Sequence, residues 1–346
     1  MQTDYYFQQM KKDERFAYEA MLTGFLAVQP SIRVLRLEGT RLADVFCRLK
    51  LDHPEIFWVK SYSYSFTAES DYVELRPEYL FEKSKITAHR QAVQARVSKL
   101  IRPLERADEQ EKEAFIHRFI CENVHYDKLK KEYSHEVIGP LTTGVGVCEG
   151  IAKTVKLLCD NLNLPCIVVL CEADPEHRIR YRHAWNLIKT GGTWYHLDAT
   201  FDLTLSACGQ ERFDYCNLSD EKISRDHRPS IYPIPACTDG GRFYYKTAGL
   251  SLTKSEDADK RIRQALRKKQ PRFVFHWRGG YLTREILNGL MELAVKAAAE
   301  REKQVSASVN FAQSVICFYF DESSSGIQAE SADAEQEPID TDCFRD

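Results

Sequence analysis

The sequence predicts an α+β fold, and three observations support this class. Several segments carry apolar residues at helical spacing, while other short runs are apolar or alternating, as strands are. Two aromatic runs joined by a Gly-Gly turn near the middle of the chain predict a β-hairpin. Of the 346 residues, 43% are hydrophobic and 29% are charged, an ordinary globular composition that is ample for a packed core. A chain of this length is expected to form two or three structural units.

Residues 1–103 are predicted to form an N-terminal accessory region of helices and strands. Helical spacing predicts one helix over residues 1–28 and another from about Gly39 to His53. Three strands and a further helix are expected at 55–59, 62–66, 72–75 and from about Thr87 to Leu100. No motif in this region indicates a function.

A cysteine framed by glycines stands in the segment GVGVCEG. Glycines around Cys148 allow the backbone to turn sharply and to approach a substrate closely. Apolar residues at helical spacing begin directly afterwards, at Ile151, Val155, Leu158 and Leu162. Cys148 is therefore expected at or near a helix N-terminus, where the helix dipole and free N–H groups favour a thiolate over a thiol.

Two strand-like runs follow this helix, and each has a polar residue at one end. His183 opens the run HAWNLI, and Asp198 closes the run WYHLD after a turn at Gly191 and Gly192. A hairpin of these runs would place His183 and Asp198 near each other at its open end. A cysteine, a histidine base and a carboxylate that orients the base form a nucleophilic triad. Asp202, four residues later, is a rival for the third position.

These motifs resemble the transglutaminase-like superfamily, a papain-related group. The resemblance rests on a G-x-C-x-G element, a helix, the aliphatic strand CIVVL, an H-A-W strand and a W-Y-x-L-D strand in the family's order, and it covers roughly residues 104–235. It implies a papain-like transglutaminase core with flanking small α/β segments. It also implies that Cys148 is the nucleophile, that His183 is the general base and acid, and that Asp198 orients His183.

Acyl transfer also requires hydrogen-bond donors for the oxyanion that forms on the attacked carbonyl. The backbone N–H of Cys148 is one expected donor, because it points out of the helix start. Papain-like enzymes use a Gln and animal transglutaminases a Trp upstream of the cysteine, and neither residue stands in the expected stretch. Tyr126, which follows the helix that begins near Asp108, is the candidate for the second donor by position.

The remaining chain is predicted to contain a small domain and a tail, so that the catalytic core occupies residues 104–237. Residues 238–320 are predicted to form an α/β domain with strands and helices at 242–245, 255–268, 272–277, 282–303 and 314–320. Residues 321–346 carry nine acidic side chains and one arginine, a net charge of −8 in a chain of net charge −3. This polar, acidic segment is predicted to be disordered.

Composition and motifs argue against several other classes of protein. The chain has neither a run of about 18 apolar residues nor an apolar signal-type N-terminus, so no membrane partner is expected. Eleven cysteines without a C-x-x-C pair, several of them in apolar runs, predict a reduced, cytoplasmic protein. Cys171, His177 and His183 are spaced too irregularly for zinc, and no metal or cofactor is expected. Basic residues cluster only around 261–272 and the pI is about 6.4, so no nucleic-acid partner is expected.

The predicted function is cysteine-dependent acyl transfer on a protein or peptide substrate by a bacterial-type transglutaminase-like protein. If water accepts the acyl group, the protein is a cysteine peptidase or amidase; if a lysine amine accepts it, the protein is a crosslinking transglutaminase. Hydrolysis is favoured because water needs no second binding site. A non-catalytic binding or scaffold protein that retains the triad is the alternative from another class, and it need not hold a reactive thiolate.

Overall fold

The computed structural model describes three stretches of the chain, residues 4–173, 182–206 and 211–322. Helices and strands are both abundant in these stretches, which confirms the predicted α+β class. None of the helices there is long and apolar enough to cross a membrane.

The described residues divide into two compact units. The first unit comprises Met1–Arg212 and Arg228–Cys237, and the second comprises Phe213–His227 and Thr238–Ile339, each as far as its residues are described. The first unit therefore holds both the N-terminal region and the predicted catalytic motifs.

The N-terminal part of the first unit forms helices around a small antiparallel sheet in the strand order β1-β3-β2. Its elements are α1 (Tyr5–Gln8), α2 (Lys12–Leu26), β1 (Ile32–Leu35), α3 (Gly39–Asp52), β2 (Val59–Ser65), β3 (Tyr72–Tyr79) and α4 (Lys83–Ile101). The helix predicted over residues 1–28 is thus two helices within the described residues. The strand predicted at 55–59 is wrong, because Pro54–Ile56 form a 3₁₀ turn. Proline has no N–H to donate to a sheet and suits the first turn of a helix.

The rest of the first unit carries the predicted motifs on one helix and one hairpin. Its elements are α5 (Glu109–Asn123), β4 (His125–Tyr126), β5 (Val145–Gly146), α6 (Cys148–Asn161), β6 (Cys166–Cys171), β7 (His183–Thr190), β8 (Thr193–Leu197) and α7 (Ala199–Leu205). The predicted hairpin is confirmed, since β7 and β8 pair antiparallel and Thr190 faces Thr193. Gly191 and Gly192 have φ of 58° and 81°, in the left-handed region that a two-residue hairpin turn requires and that glycine adopts most readily.

The helix α6 is buried on almost every side. Its apolar residues Ile151, Val155 and Leu158 are no more than 1% exposed, as the sequence predicts. The structure also buries its polar side, because Lys153 and Lys156 are paired there with carboxylates at 2.6 Å. The rest of the first unit therefore encloses α6 on nearly all of its faces.

The N-terminal segment contributes to the same core as the catalytic motifs. The Tyr6 hydroxyl donates to the backbone oxygen of Val168 in β6 at 2.6 Å. Leu51 of α3 lies in one buried cluster with Cys148 and Ile167. These contacts tie α1 and α3 to the helix and sheet that position the predicted triad.

The second unit contains a four-stranded sheet in the order β10-β11-β13-β12, one face of which packs against two helices. Its elements are β9 (Cys216–Leu218), α8 (Asp220–Ile223), α9 (Tyr244–Thr247), β10 (Ser251–Leu252), α10 (Ser255–Arg267), β11 (Arg272–Trp277), α11 (Arg284–Ala299), β12 (Lys303–Asn310) and β13 (Val315–Glu322).

Three predictions for this region need correction. The strand predicted at 242–245 is wrong, because Tyr244–Thr247 form a helical turn. The helix predicted over 282–303 ends at Ala299, and the strand β12 that follows it was not predicted. The strand β13 extends to Glu322, two residues into the predicted acidic tail, and the rest of that tail lies outside the described residues.

Candidate active site

Cys148 is the first residue of α6 and is 1% exposed. The segment before it is anchored by the Val147 N–H, which donates to the Ser134 carbonyl at 3.0 Å. A Cβ at Gly150 would lie 2.1 Å from this same carbonyl oxygen, so only glycine fits there. Gly150 is therefore required for close packing of the helix start against the 3₁₀ turn Glu132–His135, not for the approach of a substrate. This packing fixes where the sulfur lies.

His183 and Asp198 meet at the open end of the hairpin. The Nε2 atom of His183 lies 2.6 Å from the Oδ2 atom of Asp198. Asp198 directly follows β8 and is the N-cap of α7, where its Oδ1 atom accepts the N–H groups of Thr200 at 2.8 Å and Phe201 at 3.0 Å. Each carboxylate oxygen thus has its own partners. The cap holds the carboxylate in one orientation, and the carboxylate in turn orients the imidazole.

The Cys148 side chain hydrogen-bonds the His183 ring, so the structure brings the three residues of the predicted triad together. With Nε2 engaged by Asp198, the Nδ1 atom is the one left for the sulfur. Burial of the ring opposes its protonation, but the charge of Asp198 and the contacts with Asp198 and Cys148 outweigh this and raise the pKa of His183 to about 9. The His183 ring is therefore protonated at neutral pH.

The raised pKa of His183 predicts how the stability of the fold depends on pH. The protonated ring stabilises the folded protein fully below its unfolded pKa of about 6.5, and this contribution is lost as the pH rises through about 9. We expect the free energy of unfolding in urea to fall between about pH 6.5 and about pH 9.5. Asp198→Asn removes the charge that raises this pKa and should reduce the fall. An equal fall in both proteins would contradict the assignment to His183.

Asp202, the rival for the third position, has a different partner. Its Oδ2 atom lies 2.9 Å from the Nε2 atom of His117 in α5, and both side chains are fully buried. The sulfur of Cys121, one turn later in α5, lies 3.9 Å from both ring nitrogens of His117. Asp202 therefore lies in a separate cysteine–histidine–aspartate group that ties α7 to α5, a grouping that the sequence analysis missed.

Tyr126, the candidate oxyanion donor, lies next to the segment that leads into the cysteine. It belongs to β4, which pairs in parallel with β5, so that Tyr126 faces Gly146, two residues before Cys148. Its side chain is half-buried. The short β4–β5 pairing thus places the backbone of Tyr126 beside the segment that leads into α6.

Two further residues that sequence reasoning missed support the site. The Asn186 amide, in the middle of β7, donates to the Ala152 carbonyl of α6 at 2.9 Å and joins the strand of the histidine to the helix of the cysteine. The Phe201 ring lies 5.0 Å from the His183 ring. The signal for Asn186 in the sequence is a single amide within the apolar run 184–188. His196 accepts the indole N–H of Trp185 at 2.9 Å and is a structural neighbour of the site.

A buried network of charges underlies the start of α6. Lys153 lies 2.9 Å from Glu136 and 2.6 Å from Glu149, the residue that follows Cys148. Glu136 also pairs with Lys50 of α3 at 2.7 Å. Burial opposes the charge on Lys153, but the two glutamates outweigh it and hold the pKa of the ammonium above its usual value. His135 lies 3.7 Å from the other carboxylate oxygen of Glu149. The network joins α3, the segment before the cysteine, and α6.

Comparison with known families gives a match over the part of the chain that carries this site. Residues 98–199 match the model of the family described as the transglutaminase-like superfamily, and this range includes Cys148, His183 and Asp198. No curated protein matches the chain.

Two solved structures are similar to parts of the chain. One, described as "Crystal structure of a TGase", is 11% identical, with a TM-score of 0.32 over 65% of this chain and 66% of the other. The second, described as a "Putative Cysteine Protease" from Cytophaga hutchinsonii, is 15% identical, with a TM-score of 0.27 over 40% of this chain and 61% of the other. The matched part thus spans just under two thirds of either structure. The likeness to a family rests on the sequence match: residues 98–199, under a third of the chain, are similar to the transglutaminase-like superfamily.

Proposed function

We propose that the protein is a cysteine-dependent amide hydrolase that acts on a protein or peptide through Cys148, His183 and Asp198. The observation that carries the proposal is the position of His183 between the other two. One ring nitrogen lies 2.6 Å from a fully buried carboxylate, and the ring also hydrogen-bonds the thiol at the start of α6. This is the geometry of a nucleophile, a base and a group that orients the base.

Acylation begins with the Cys148 thiolate and the His183 imidazolium. The sulfur attacks the carbonyl carbon of the amide, and a C–S bond forms as the carbonyl becomes a tetrahedral oxyanion. The oxyanion collapses, the C–N bond breaks, and the imidazolium gives its proton to the leaving amine. The products are a thioester on Cys148, a neutral His183 and a free amine.

Deacylation returns the enzyme to its starting state. Neutral His183 removes a proton from water, whose oxygen attacks the thioester carbon. The C–S bond breaks, a carboxylic acid leaves, and the thiolate and the imidazolium are restored. Asp198 stays ionised throughout and stabilises the imidazolium.

The oxyanion requires donors near the sulfur. The Cys148 N–H lies in the first turn of α6, where a backbone N–H has no partner within the helix. We assign the second donor to the Tyr126 hydroxyl, and the pairing of Tyr126 with Gly146 supports this assignment. A single donor of this kind contributes about 3 kcal/mol to the stability of the transition state.

The burial of the thiol and the lack of disulfides bear on the substrate and on the cellular setting. Cys148 is 1% exposed, so only a slender group such as an extended peptide or an amide side chain reaches the sulfur. The nine described cysteines form no disulfide among themselves, which supports a reducing compartment such as the cytoplasm.

Alkylation of Cys148 tests for the reactive thiolate. We expect sub-stoichiometric iodoacetamide at mildly acidic pH to label Cys148 first, because the imidazolium of His183 maintains its thiolate. His183→Ala should slow labelling of Cys148 by about tenfold or more, since an ordinary thiol is largely protonated at that pH. Intact mass and peptide mapping report the site and the rate.

Cys121 is the internal control, because it lies beside a different histidine, His117. Its labelling rate should be the same in the parent protein and in His183→Ala. Preferential labelling of Cys121, or an unchanged rate at Cys148 in His183→Ala, would count against a catalytic Cys148. A peptide-library cleavage screen with Cys148→Ala as the blank then distinguishes the reactions. Incorporation of a labelled amine without cleavage would indicate crosslinking, and a reactive thiol with neither activity would favour a scaffold role.

A further inference from the structure

Four cationic side chains lie near enough to a buried histidine in the second unit to affect its charge. We call Lys222, Arg225, Lys246 and Arg278 the cation cluster. The histidine is His276 in β11, which is 2% exposed. Burial, followed by the charges of these four side chains, lowers the pKa of His276 to about 3, so the ring is neutral at physiological pH.

One nitrogen of this ring has no hydrogen-bond partner. The Nδ1 atom lies 2.7 Å from the Ser251 hydroxyl, whereas the buried Nε2 atom has no partner among the described residues. When the serine hydroxyl donates to Nδ1, the single proton of the neutral ring is on Nε2. A buried N–H group without an acceptor costs about 1–3 kcal/mol of stability. An acceptor supplied by a ligand would remove this cost.

The fold brings Lys222 and Arg225 to the end of the sheet where His276 lies. The Lys222 carbonyl accepts from the Gln313 amide at 3.2 Å, and Arg225 donates to the Ala312 carbonyl at 3.0 Å. These contacts place both residues at the turn before β13, and Val315 of that strand pairs with His276.

Lys246 and Arg278 approach from two other elements. Lys246 lies in α9, whose N-cap residue is Phe243. The Phe243 ring packs edge-on against the His276 ring, with 5.0 Å between the ring centroids. Its ammonium donates to the Gly240 carbonyl at 2.7 Å. Arg278 follows His276 by two residues, on the same side of the extended chain. The members of the cation cluster therefore come from α8 and α9 and from the residues that follow α8 and β11.

The carboxylates nearest the cation cluster are exposed or have other partners. Glu221 lies 3.8 Å from Arg225, but its side chain is 83% exposed, so water screens this pair. The nearby Asp226 is engaged by the Tyr215 hydroxyl at 2.6 Å and by His227 at 2.7 Å. Lys222 is half-buried, and burial together with Arg225 and Lys246 lowers its pKa to about 8. Solvated surface lysines have no such cost, so these residues form a site that an anion would stabilise.

We propose that the cation cluster and the Nε2–H group of His276 bind a phosphate-type oxyanion, either free phosphate or the phosphoryl group of a small monoester. A phosphoryl group offers a charge near −2 and three acceptor oxygens, which suits donors that approach from several elements. A carboxylate has one charge and two acceptor oxygens in a plane, and it would leave part of the cluster uncompensated.

Calorimetric titration of the full chain with inorganic phosphate or phenyl phosphate, at constant ionic strength, tests the proposal. We expect one saturable site, and Lys222→Gln should weaken binding about tenfold or more because it removes a charged donor. Phosphate binding alone would indicate a free-anion site, and equal binding of phenyl phosphate would indicate a phosphomonoester site. Lys260→Gln is the matched control, because Lys260 is exposed on α10, which packs on the opposite face of the sheet from His276. This control should bind like the parent protein.

Nitrogen NMR of the parent protein keeps the test decisive if Lys222→Gln fails to fold. With ¹⁵N-labelled histidine, the Nε2 signal of His276 should shift as phosphate saturates the site. Either of two results would overturn the proposal: heat and shift changes that chloride of equal ionic strength reproduces, or a Lys222→Gln protein that is folded and binds like the parent.

Discussion

Asp198→Asn is expected to slow amide turnover on the order of 10⁴-fold while the fold survives. Asparagine is as good an N-cap as aspartate, so the contacts to the Thr200 and Phe201 N–H groups can be kept. The other end of the new side chain, however, is an NH₂ group that faces Nε2 of His183, where Oδ2 of Asp198 stands at 2.6 Å.

This change reverses the direction of the hydrogen bond to the ring. An amide NH₂ donates, so Nε2 of His183 must accept, and the ring proton then lies on Nδ1, towards the sulfur. In this tautomer His183 cannot take a proton from Cys148, and no carboxylate stabilises the imidazolium. The nucleophile is still present, so very slow alkylation of Cys148 should persist.

Asp202→Asn is the matched control, because it makes the same chemical change four residues away. Asp202 pairs with buried His117 and not with His183, so the variant should lose stability and keep most of its turnover below its melting temperature. Turnover of a substrate from the peptide screen and alkylation at Cys148 should be measured on both variants, with His183→Ala as the reference. If Asp202→Asn matches His183→Ala while Asp198→Asn is near the parent, Asp202 is the orienting residue.

The elements that hold the proposed triad could be predicted because their signals are local. Helical spacing starts directly after Cys148, and the Gly191-Gly192 turn defines the register that brings His183 and Asp198 to one end of the hairpin. The partner of Asp202 could not be predicted, because His117 lies 85 positions earlier in the chain and no pattern links the two residues.

The errors in the second unit have two different causes. The aromatic run at 243–245 has strand propensity, but packing overrides it: Tyr244 stacks on Phe213 at 3.9 Å, and the Tyr245 hydroxyl donates to Asp214 at 2.9 Å. The strand β12 did have a signal, since Val305, Ala307 and Val309 alternate with polar residues. Their small side chains made that alternation weak beside the helix that precedes it.

The burial of the polar side of α6 could not be predicted from the sequence. Lys153 and Lys156 resemble the solvated face of an amphipathic helix. Lys153 is nevertheless buried against Glu136, which in turn pairs with Lys50 of α3, and no local pattern in the sequence predicts these contacts. The stability that the buried Lys153 contributes can be measured by replacing it.

Lys153→Met is expected to destabilise the first unit by about 3–5 kcal/mol, the usual effect of removing one partner from a buried ionic group. Methionine fills the space of the lysine stem, so packing is nearly preserved. The loss comes from Glu149 and Glu136, which remain buried without the ammonium that lies 2.6 Å and 2.9 Å from them. Burial raises the pKa of Glu149, but Lys153 and His135 outweigh it and hold that pKa well below its usual value, so its charge is present at every physiological pH.

Lys60→Met is the matched control, because Lys60 also bridges two glutamates, Glu78 at 3.0 Å and Glu132 at 2.6 Å. Its side chain is 39% exposed, and water can replace the ammonium, so urea unfolding should change little. Adding Glu149→Gln to Lys153→Met should recover part of the lost stability, since it removes a buried charge that has lost its lysine partner. If Lys153→Met unfolds at the same urea concentration as Lys60→Met, the network does not hold the start of α6. The position of Cys148 would then depend on the contacts of Val147 and Gly150 with Ser134 alone.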